Sequence, residues 1–202
     1  GETRPLGVGL VGESFEWVEG EPEPGLTERI AALEARLGRV LPDGFRSEIC
    51  PAGPAWMASA ASALDKGAIL AIDYGLVERE YYHPQRDSGT LICHYRHRAH
   101  ANPFLWPGLQ DISAWVDFSA CARAAESVGL GVSGFTTQGQ FLIEGGAAER
   151  LGEPDDSTPL QVAQALKTLI LPGEMGERFK LLLLSRDLPL GPPPGRDFRN
   201  RL

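Results

Sequence analysis

The stretch Ala68-Ile69-Leu70-Ala71-Ile72, which runs into Asp73-Tyr74-Gly75, decides the fold class. A continuous apolar run that ends at a polar corner is typical of a strand buried on both faces of a parallel sheet. The alanine-rich residues 54–66 before it, closed by Gly67, predict a packed helix. In open α/β sheets the ligand crevice lies beyond the carboxyl ends of the strands, so Asp73 and Tyr74 stand where a site is expected.

Apolar spacing on either side of this strand predicts the other elements. Residues 6–18 predict two short strands around a glycine-bearing turn, and residues 26–37 predict an amphipathic helix that ends at Gly38. The remaining predictions are a strand at 45–49, a helix at 119–128, a strand at 130–136, a short helix at 138–143, a helix at 158–171 and a strand at 179–184. Residues 76–111 are expected to be irregular but ordered, because aromatic side chains recur along them.

Composition narrows the class of protein and its partners. The chain has 202 residues, of which 43% are hydrophobic and 23% charged, enough to bury a core. Its net charge of −8 argues against a protein that binds nucleic acid phosphates. Its apolar runs are too short to span a bilayer, and no signal-peptide pattern is found. Three widely spaced cysteines indicate reduced thiols. The prediction is a soluble cytoplasmic protein.

A glycine-rich motif lies near the start of the chain. Gly7-Val8-Gly9-Leu10-Val11-Gly12 matches the dinucleotide fingerprint literally. The fingerprint needs a strand before it and a helix after it, so that phosphate meets the N–H groups at the start of the helix. Here a strand pattern leading into prolines follows the match. We therefore interpret this motif as a hairpin with glycines in its turn.

The four histidines are clustered: His83, His94, His97 and His100. With this spacing, neither a strand nor a helix would place the histidines on one face. No His-Glu-x-x-His or paired Cys-x-x-Cys motif accompanies them. We expect no metal site. The same segment holds four arginines, Arg79, Arg86, Arg96 and Arg98, and is interpreted as a polar loop over a cleft suited to an anionic ligand or an acidic partner. A metal-dependent hydrolase built on the histidines is the less favoured alternative.

Three carboxylates are candidates for hydrogen-bonding a substrate amine or for orienting a loop: Asp73, Asp111 and Asp117. For Asp111 and Asp117, capping of a helix N-terminus is an equally good interpretation. No nucleophile elbow, phosphate-binding lysine loop or Ser/His/Asp order accompanies them.

An ordered series of motifs runs along most of the chain. The series comprises GAILAIDYG at 67–75, EYYHP at 80–84, GTL at 89–91, HYRH at 94–97, GLQDI at 108–112, VDF at 116–118, TQ at 137–138 with FL at 141–142, and MGERFK at 175–180. In these residues, and from about residue 4 to 188, the sequence resembles the MidA family of S-adenosylmethionine-dependent methyltransferases. That family includes the mitochondrial assembly factor for respiratory complex I.

The resemblance implies an α/β fold, namely the C-terminal part of a Rossmann-type seven-stranded methyltransferase fold with helical and loop insertions. Residues 68–72 would be its fifth strand. Residues 130–136 and 179–184 would be the antiparallel pair that closes the sheet, with helix 158–171 between them. Residues 1–188 would form this part of the domain, and residues 189–202 a flexible tail. The implied cofactor is S-adenosyl-L-methionine, but the family's glycine-rich donor loop and acidic strand end match nothing here, so no cofactor-binding residue is assigned.

The implied activity is methyl transfer to a protein nitrogen, an arginine side chain by analogy with the mitochondrial member. Asp73 and Tyr74 are the expected catalytic residues on the acceptor side, and the expected substrate contacts are Gly75, Tyr82, Tyr95, His97, Asp111 and Asp117. The implied partner is a protein substrate such as a respiratory complex subunit, and a homodimer is left open. Without a donor loop the chain alone is expected to be inactive, and a catalytically silent binding or interaction module is the main alternative.

Overall fold

A computed structural model describes residues 3–150 and 159–202. The strands are β1 (Leu6–Val11), β2 (Ser14–Glu19), β3 (Gly67–Leu76), β4 (Ile92–Tyr95), β5 (Arg98–His100), β6 (Asp111–Ser113), β7 (Val116–Asp117), β8 (Gly131–Thr137) and β9 (Phe179–Arg186). The helices are α1 (Leu26–Leu37), α2 (Ala52–Ser62), α3 (Glu78–Tyr81), α4 (Phe118–Ser127), α5 (Gln138–Glu144), α6 (Ala147–Arg150) and α7 (Pro159–Ile170), with a short 3-10 helix at Arg199–Arg201. The chain forms two compact units: unit 1 comprises residues 1–48 and 82–114, and unit 2 residues 49–81 and 115–202.

Unit 2 is built on a four-stranded sheet in the order β7-β3-β9-β8. Strand β3 pairs antiparallel with β9 from Gly67 to Tyr74, and only its last two residues pair in parallel with β7. The expectation of a strand inside a parallel sheet is therefore wrong for most of β3. An apolar run predicts a strand but does not determine the direction of the neighbouring strand, so the pairing direction of β3 could not be predicted from this stretch.

The same strand is also less buried than its composition predicts. Leu70 and Ile72 are 47% and 49% exposed, whereas Leu182 and Leu184 on the neighbouring β9 are fully buried. Within residues 3–150 and 159–202, no strand pairs with the second edge of β3 between residues 67 and 74. Strand β3 thus has one edge without a paired strand in this range, and two half-exposed apolar side chains, Leu70 and Ile72.

One continuous core holds unit 2 together. Cross-strand pairs place Ile69 and Ala71 of β3 on the same face as Leu182 and Leu184 of β9, and this face packs on helices α2 and α4. The centre of the core comprises Met57, Ala61, Phe118, Ala122 and Phe135. Antiparallel pairing of β8 with β9 extends the same sheet, as expected for residues 130–136 and 179–184.

The C-terminal residues of unit 2 are anchored, in contrast to the flexible tail expected from residue 189 onward. The Phe198 N–H donates to the Phe135 carbonyl at 2.7 Å, and the Phe135 N–H donates to the Asp197 carboxylate at 3.2 Å. The side chains of Phe198 and Leu202 pack against the core. The prediction of a flexible tail followed from the proline-rich composition and did not take account of Phe198 and Leu202, the apolar residues that follow the prolines.

Unit 1 consists of the hairpin β1–β2, helix α1 and a small sheet in the order β5-β4-β6. The hairpin with its glycine turn is confirmed, since Gly12 has φ +62°, as is the helix that ends at Gly38 with φ +68°. The strand expected at 45–49 is wrong, because only an isolated bridge between Arg46 and Ser88 forms there. The segment expected to be irregular contains α3 and strands β4 to β6.

Helices α2, α4, α5 and α7 are confirmed close to their expected positions. The expected first residue of α7, Thr158, lies outside the described residues. Over the described part of the chain, no helix has the length and apolar character needed to cross a membrane.

Candidate functional site

The polar corner at the end of β3 is formed by Asp73 and Tyr74. Asp73 is exposed, and its Oδ1 accepts the N–H of Tyr74 at 2.8 Å, which fixes the carboxylate against its own backbone. The Tyr74 ring lies edge-on to Phe179 with centroids 5.5 Å apart, and to Trp115 at 6.4 Å. Because successive residues of a strand face opposite sides of the sheet, the Asp73 carboxylate leaves one face and the aromatic cluster of Tyr74, Phe179 and Trp115 lies on the other. The exposed carboxylate suits a cationic or amine-bearing ligand.

Gly75 has a packing role that its position in the motif did not reveal. A Cβ at this position would lie 2.3 Å from the Val116 carbonyl oxygen and 2.7 Å from the Phe118 ring. The Gly75 N–H donates to the Arg178 carbonyl at 3.2 Å. Glycine is needed here because β7 and α4 approach the β3 backbone closely.

Asp117 begins helix α4, which confirms the capping interpretation. Its Oδ1 accepts the Ala120 N–H at 3.0 Å. Burial raises the pKa of the Asp117 carboxyl, and the negative charge of Glu78 raises it further, against the lowering effect of the Ala120 N–H. Asp117 is thus a half-buried cap whose carboxylate binds the N-terminus of helix α4.

Two charged groups beside this cap were missed by sequence reasoning. Glu78 is buried and forms an ion pair with Arg123 at 2.6 Å, and its N–H donates to the Ser119 hydroxyl at 3.0 Å. Their only sequence signal was a carboxylate two residues after the end of a strand. This ion pair connects helix α3 to helix α4.

Lys180 faces Asp73 across the sheet. The two residues are direct partners in the antiparallel register of β3 and β9, so their side chains leave the same face. The Lys180 amine donates to the Glu177 carbonyl oxygen. Burial lowers the pKa of the Lys180 ammonium, partly offset by Glu177. A cation therefore lies on the side of the corner that carries the Asp73 carboxylate.

Four of the predicted substrate contacts lie in unit 1. Tyr82 is buried, and its hydroxyl donates to the Glu48 carbonyl at 3.3 Å, which gives it a structural role. Tyr95 stacks on Trp106 with centroids 4.5 Å apart, and the guanidinium of Arg96 lies 5.4 Å above the Tyr95 ring. This arrangement presents a stacked aromatic pair with an exposed Trp106.

His97 forms the tip of the β4–β5 hairpin. Arg96 and His97 have φ of 48° and 62° and together form the two-residue turn between Tyr95 and Arg98. Positive φ at both positions is the pattern of a type I′ turn, which glycine and asparagine favour. Two exposed basic side chains are thus held in a strained turn.

Asp111 lies on strand β6, so the helix-capping interpretation is wrong for this residue. It is exposed, pairs across the sheet with His94, and one carboxylate oxygen accepts the Ser113 hydroxyl at 3.1 Å. His100 packs edge-on to Trp106, and within the described residues neither of its ring nitrogens has a hydrogen-bond partner. No three His, Cys, Asp or Glu side chains within this same part of the chain are grouped closely enough to hold a metal ion.

The methyl-donor site that the resemblance implies does not fit the residues described. The literal glycine fingerprint at residues 7–12 lies inside the hairpin β1–β2, and strand β2 follows it instead of a helix. It therefore provides no helix N-terminus for a cofactor.

Comparison with known proteins identifies the family. Residues 1–136 match the model of a family of S-adenosyl-L-methionine-dependent methyltransferases. The chain belongs to this family. It is similar to the crystal structure of a COG1565 superfamily member from Burkholderia thailandensis bound to S-adenosyl-homocysteine, with 39% identity and a TM-score of 0.81. It is also similar to a native crystal structure of a protein of that superfamily from the same organism, with 37% identity and a TM-score of 0.77.

These matches cover 92% of this chain but only 48% and 50% of the two Burkholderia chains. The chain thus spans about half the length of the methyltransferase-family structures that it matches. The predicted α/β methyltransferase fold is confirmed, and the cofactor class of the family is S-adenosyl-L-methionine.

Proposed function

We propose that this chain is the methyl-acceptor side of an S-adenosyl-L-methionine-dependent methyltransferase of MidA type, and that the acceptor is an arginine side chain of a protein. The observation that carries the proposal is the corner of Asp73 and Tyr74 at the end of β3, in a chain of this methyltransferase family. The Burkholderia relative that binds S-adenosyl-homocysteine supports the reaction type.

The proposed roles follow from the chemistry of a guanidinium acceptor. A carboxylate accepts two parallel N–H bonds from a guanidinium, so the exposed Asp73 would orient the acceptor nitrogen. The Tyr74 ring, which packs on Phe179 and Trp115 on the opposite face of β3, would hold in place the strand end that carries Asp73. When bound, S-adenosyl-L-methionine supplies the methyl group. The residues of this chain bind and orient the acceptor, which is the main requirement of such a transfer.

The other proposed contacts act less directly. Gly75 and Asp117 support the corner through close packing and helix capping. Tyr95, His97 and Asp111 offer an exposed aromatic pair, a basic turn and a carboxylate in unit 1, where Tyr82 supports them from the interior. We propose these residues as contacts of the protein substrate, of which a respiratory complex subunit is one example, in the cytoplasm.

The donor-binding half is proposed to lie on polypeptide beyond these residues. Supporting observations are that no strand among the described residues pairs with the second edge of β3 at residues 67–74, and that the matches cover only about half of the Burkholderia structures. Calorimetry with S-adenosyl-L-methionine tests this step, and we expect no tight binding by the 202 residues alone. Tight binding would place the donor site within the chain and overturn the proposal.

The acceptor site is tested in the natural full-length protein by transfer of a radiolabelled methyl group to an arginine-flanked peptide, Arg-Arg-Leu-Val-Leu-Val-Arg-Arg. We expect Asp73→Asn to reduce kcat at least about tenfold, since the neutral amide forfeits a charge-assisted pair. Asp187→Asn, a change of the same kind in a turn after β9, serves as the control. Unchanged donor affinity and unchanged methylation in Asp73→Asn would remove Asp73 from the site.

A further inference from the structure

One face of the hairpin β1–β2 is apolar and largely exposed, although the Trp17 ring on this face packs edge-on to Phe104 with ring centroids 5.1 Å apart. The register pairs Val8 with Trp17 and Leu10 with Phe15, which places all four side chains on one face together with Leu6. Leu10 and Val8 are 68% and 58% exposed, and the other three are between 39% and 46% exposed. We call these five residues the hairpin face. A contiguous exposed apolar patch of this kind marks a binding surface.

The opposite face of the same hairpin differs in character. It carries Gly7, Gly9 and the polar Glu16, and Val18 lies flat across the two glycines. A Cβ on Gly9 would lie 2.7 Å from Val18 Cγ1, so glycine is required for this close approach. The opposite face also holds Val11 and Ser14, so the leucine and aromatic side chains of the hairpin all lie on the hairpin face.

Negative charge flanks the hairpin face at both ends. Glu13 lies in the turn at one end, and Glu19 closes the apolar row at the other, opposite Leu6. From residue 13 to residue 28 the chain has six glutamates and neither lysine nor arginine. A six-residue strand is roughly 20 Å long, so the two glutamates are separated by about the length of an extended hexapeptide.

We propose that the hairpin face binds an extended segment of the methyl-acceptor protein, with apolar residues at its centre and arginine or lysine at both ends. Apolar side chains of the segment would cover Val8, Leu10 and Phe15 and the part of Trp17 that Phe104 leaves exposed, and its basic ends would meet Glu13 and Glu19. The identification of this segment as the methyl acceptor rests on the proposed function. The complementarity of the surface to such a segment rests on the hairpin alone.

Fluorescence anisotropy with the natural full-length protein tests the surface. The probe is fluorescein-labelled Arg-Arg-Leu-Val-Leu-Val-Arg-Arg, and the matched probe replaces its four arginines with glutamate. We expect saturable binding of the basic probe that weakens as salt is raised, and at least about tenfold weaker binding of the acidic probe. Equal binding of the two probes, or no binding of either, would overturn the proposal.

Variants on the two faces of the hairpin provide the decisive control. We expect Leu10→Ser and Glu19→Lys each to weaken binding of the basic probe about tenfold. Val11→Ser and Glu16→Lys make the same chemical changes on the opposite face and should alter binding less than about twofold. Circular dichroism verifies that all four variants fold. Equal effects on both faces would contradict docking on the hairpin face.

Light scattering and a methylation assay distinguish this proposal from dimerisation and from the proposed function. If light scattering shows a dimer that Leu10→Ser dissociates, and the basic probe does not compete with it, the occupant is a second copy and the proposal fails. If the probe binds as expected but the full-length protein never methylates it or any arginine, the docking surface stands and the proposed function fails. If methylation proceeds equally in Leu10→Ser and the unaltered protein, the function stands and the docking proposal fails.

Discussion

The two units are stabilised in different ways. Unit 2 buries a continuous apolar core, in which Phe118, Phe135 and Leu182 are at most 2% exposed. Unit 1 leaves large apolar side chains exposed on its hairpin, and the Glu48 carboxylate accepts hydrogen bonds at 2.9 to 3.2 Å from three groups, the N–H and the hydroxyl of Thr90 and the N–H of Leu91. The unit that carries the Asp73 corner thus has a continuous core, whereas in the unit that carries the hairpin face the Glu48 contacts supplement separate buried side chains such as Leu33 and Cys93. Surfaces used for binding tend to occur in regions with less burial.

The largest expected effect comes from a cavity in unit 2. Leu182→Ala should reduce the free energy of unfolding by about 2 to 5 kcal/mol, because a fully buried leucine is lost from a packed core. Leu109→Ala in unit 1 removes the same atoms from a side chain that is 68% exposed and should change it by less than about 0.5 kcal/mol. Urea titration followed by circular dichroism compares the two. Similar losses would mean that burial does not distinguish the units.

Alkaline pH should weaken unit 2 through a buried thiol. Burial raises the pKa of Cys121 from 9.0 to about 11, so the folded state disfavours the thiolate. Below pH 9 this thiol is protonated in both states and stability is unaffected. As pH rises from 9 to 11 the unfolded state ionises first, and roughly 2 to 3 kcal/mol of stability is lost.

Chemical denaturation between pH 8 and 11 measures that loss. Cys121→Ala should flatten the pH dependence, although the smaller side chain lowers stability at pH 8. Cys50→Ala is the control, since that thiol is exposed. An equally steep alkaline decline in Cys121→Ala would assign it to other groups.

An intermediate effect is expected where unit 1 depends on a polar contact. Glu48→Ala leaves the N–H groups of Thr90 and Leu91 without this acceptor, at a cost of about 1 to 3 kcal/mol. Glu48→Gln keeps one carbonyl acceptor and should cost less. Hydrogen exchange of residues 82–95, read by mass spectrometry, reports the loss locally. Unchanged protection in Glu48→Ala would show that the segment is held by other contacts.

The sequence predicted regular elements well wherever a local pattern suffices to form them. The hairpin, helix α1 and the antiparallel strands β8 and β9 follow from alternation, helical spacing and glycine stops. It failed where the partner was distant in the chain. The direction of β3 depends on β9, more than a hundred residues later, and the anchoring of Phe198 depends on β8.

The candidate site shows the same division. Asp73 and Tyr74 were found because a strand end is visible in the sequence, and Asp117 was recognised as a candidate cap. The ion pair of the buried Glu78 with Arg123 was missed, since ion pairing between residues 45 positions apart leaves no local pattern. The motif residues therefore locate the region of the candidate site. Only the contacts in the structure distinguish a glycine that is needed for packing, such as Gly75, from an exposed carboxylate, such as Asp73.

The smallest expected change in the free energy of unfolding comes from His97→Gly, and unlike the changes above it is an increase. His97 has φ 62° in a two-residue turn, a conformation that costs a residue with a Cβ roughly 1 kcal/mol relative to glycine. His97→Gly should therefore raise the free energy of unfolding by about 0.5 to 1 kcal/mol. Val40→Gly, at an exposed position in the same unit, provides the comparison and should not stabilise. If His97 contacts the protein substrate, the same variant should raise KM while leaving kcat unchanged. A more stable protein with unaltered KM would show that the turn serves only the hairpin, and a less stable one would show that the imidazole itself holds unit 1 together.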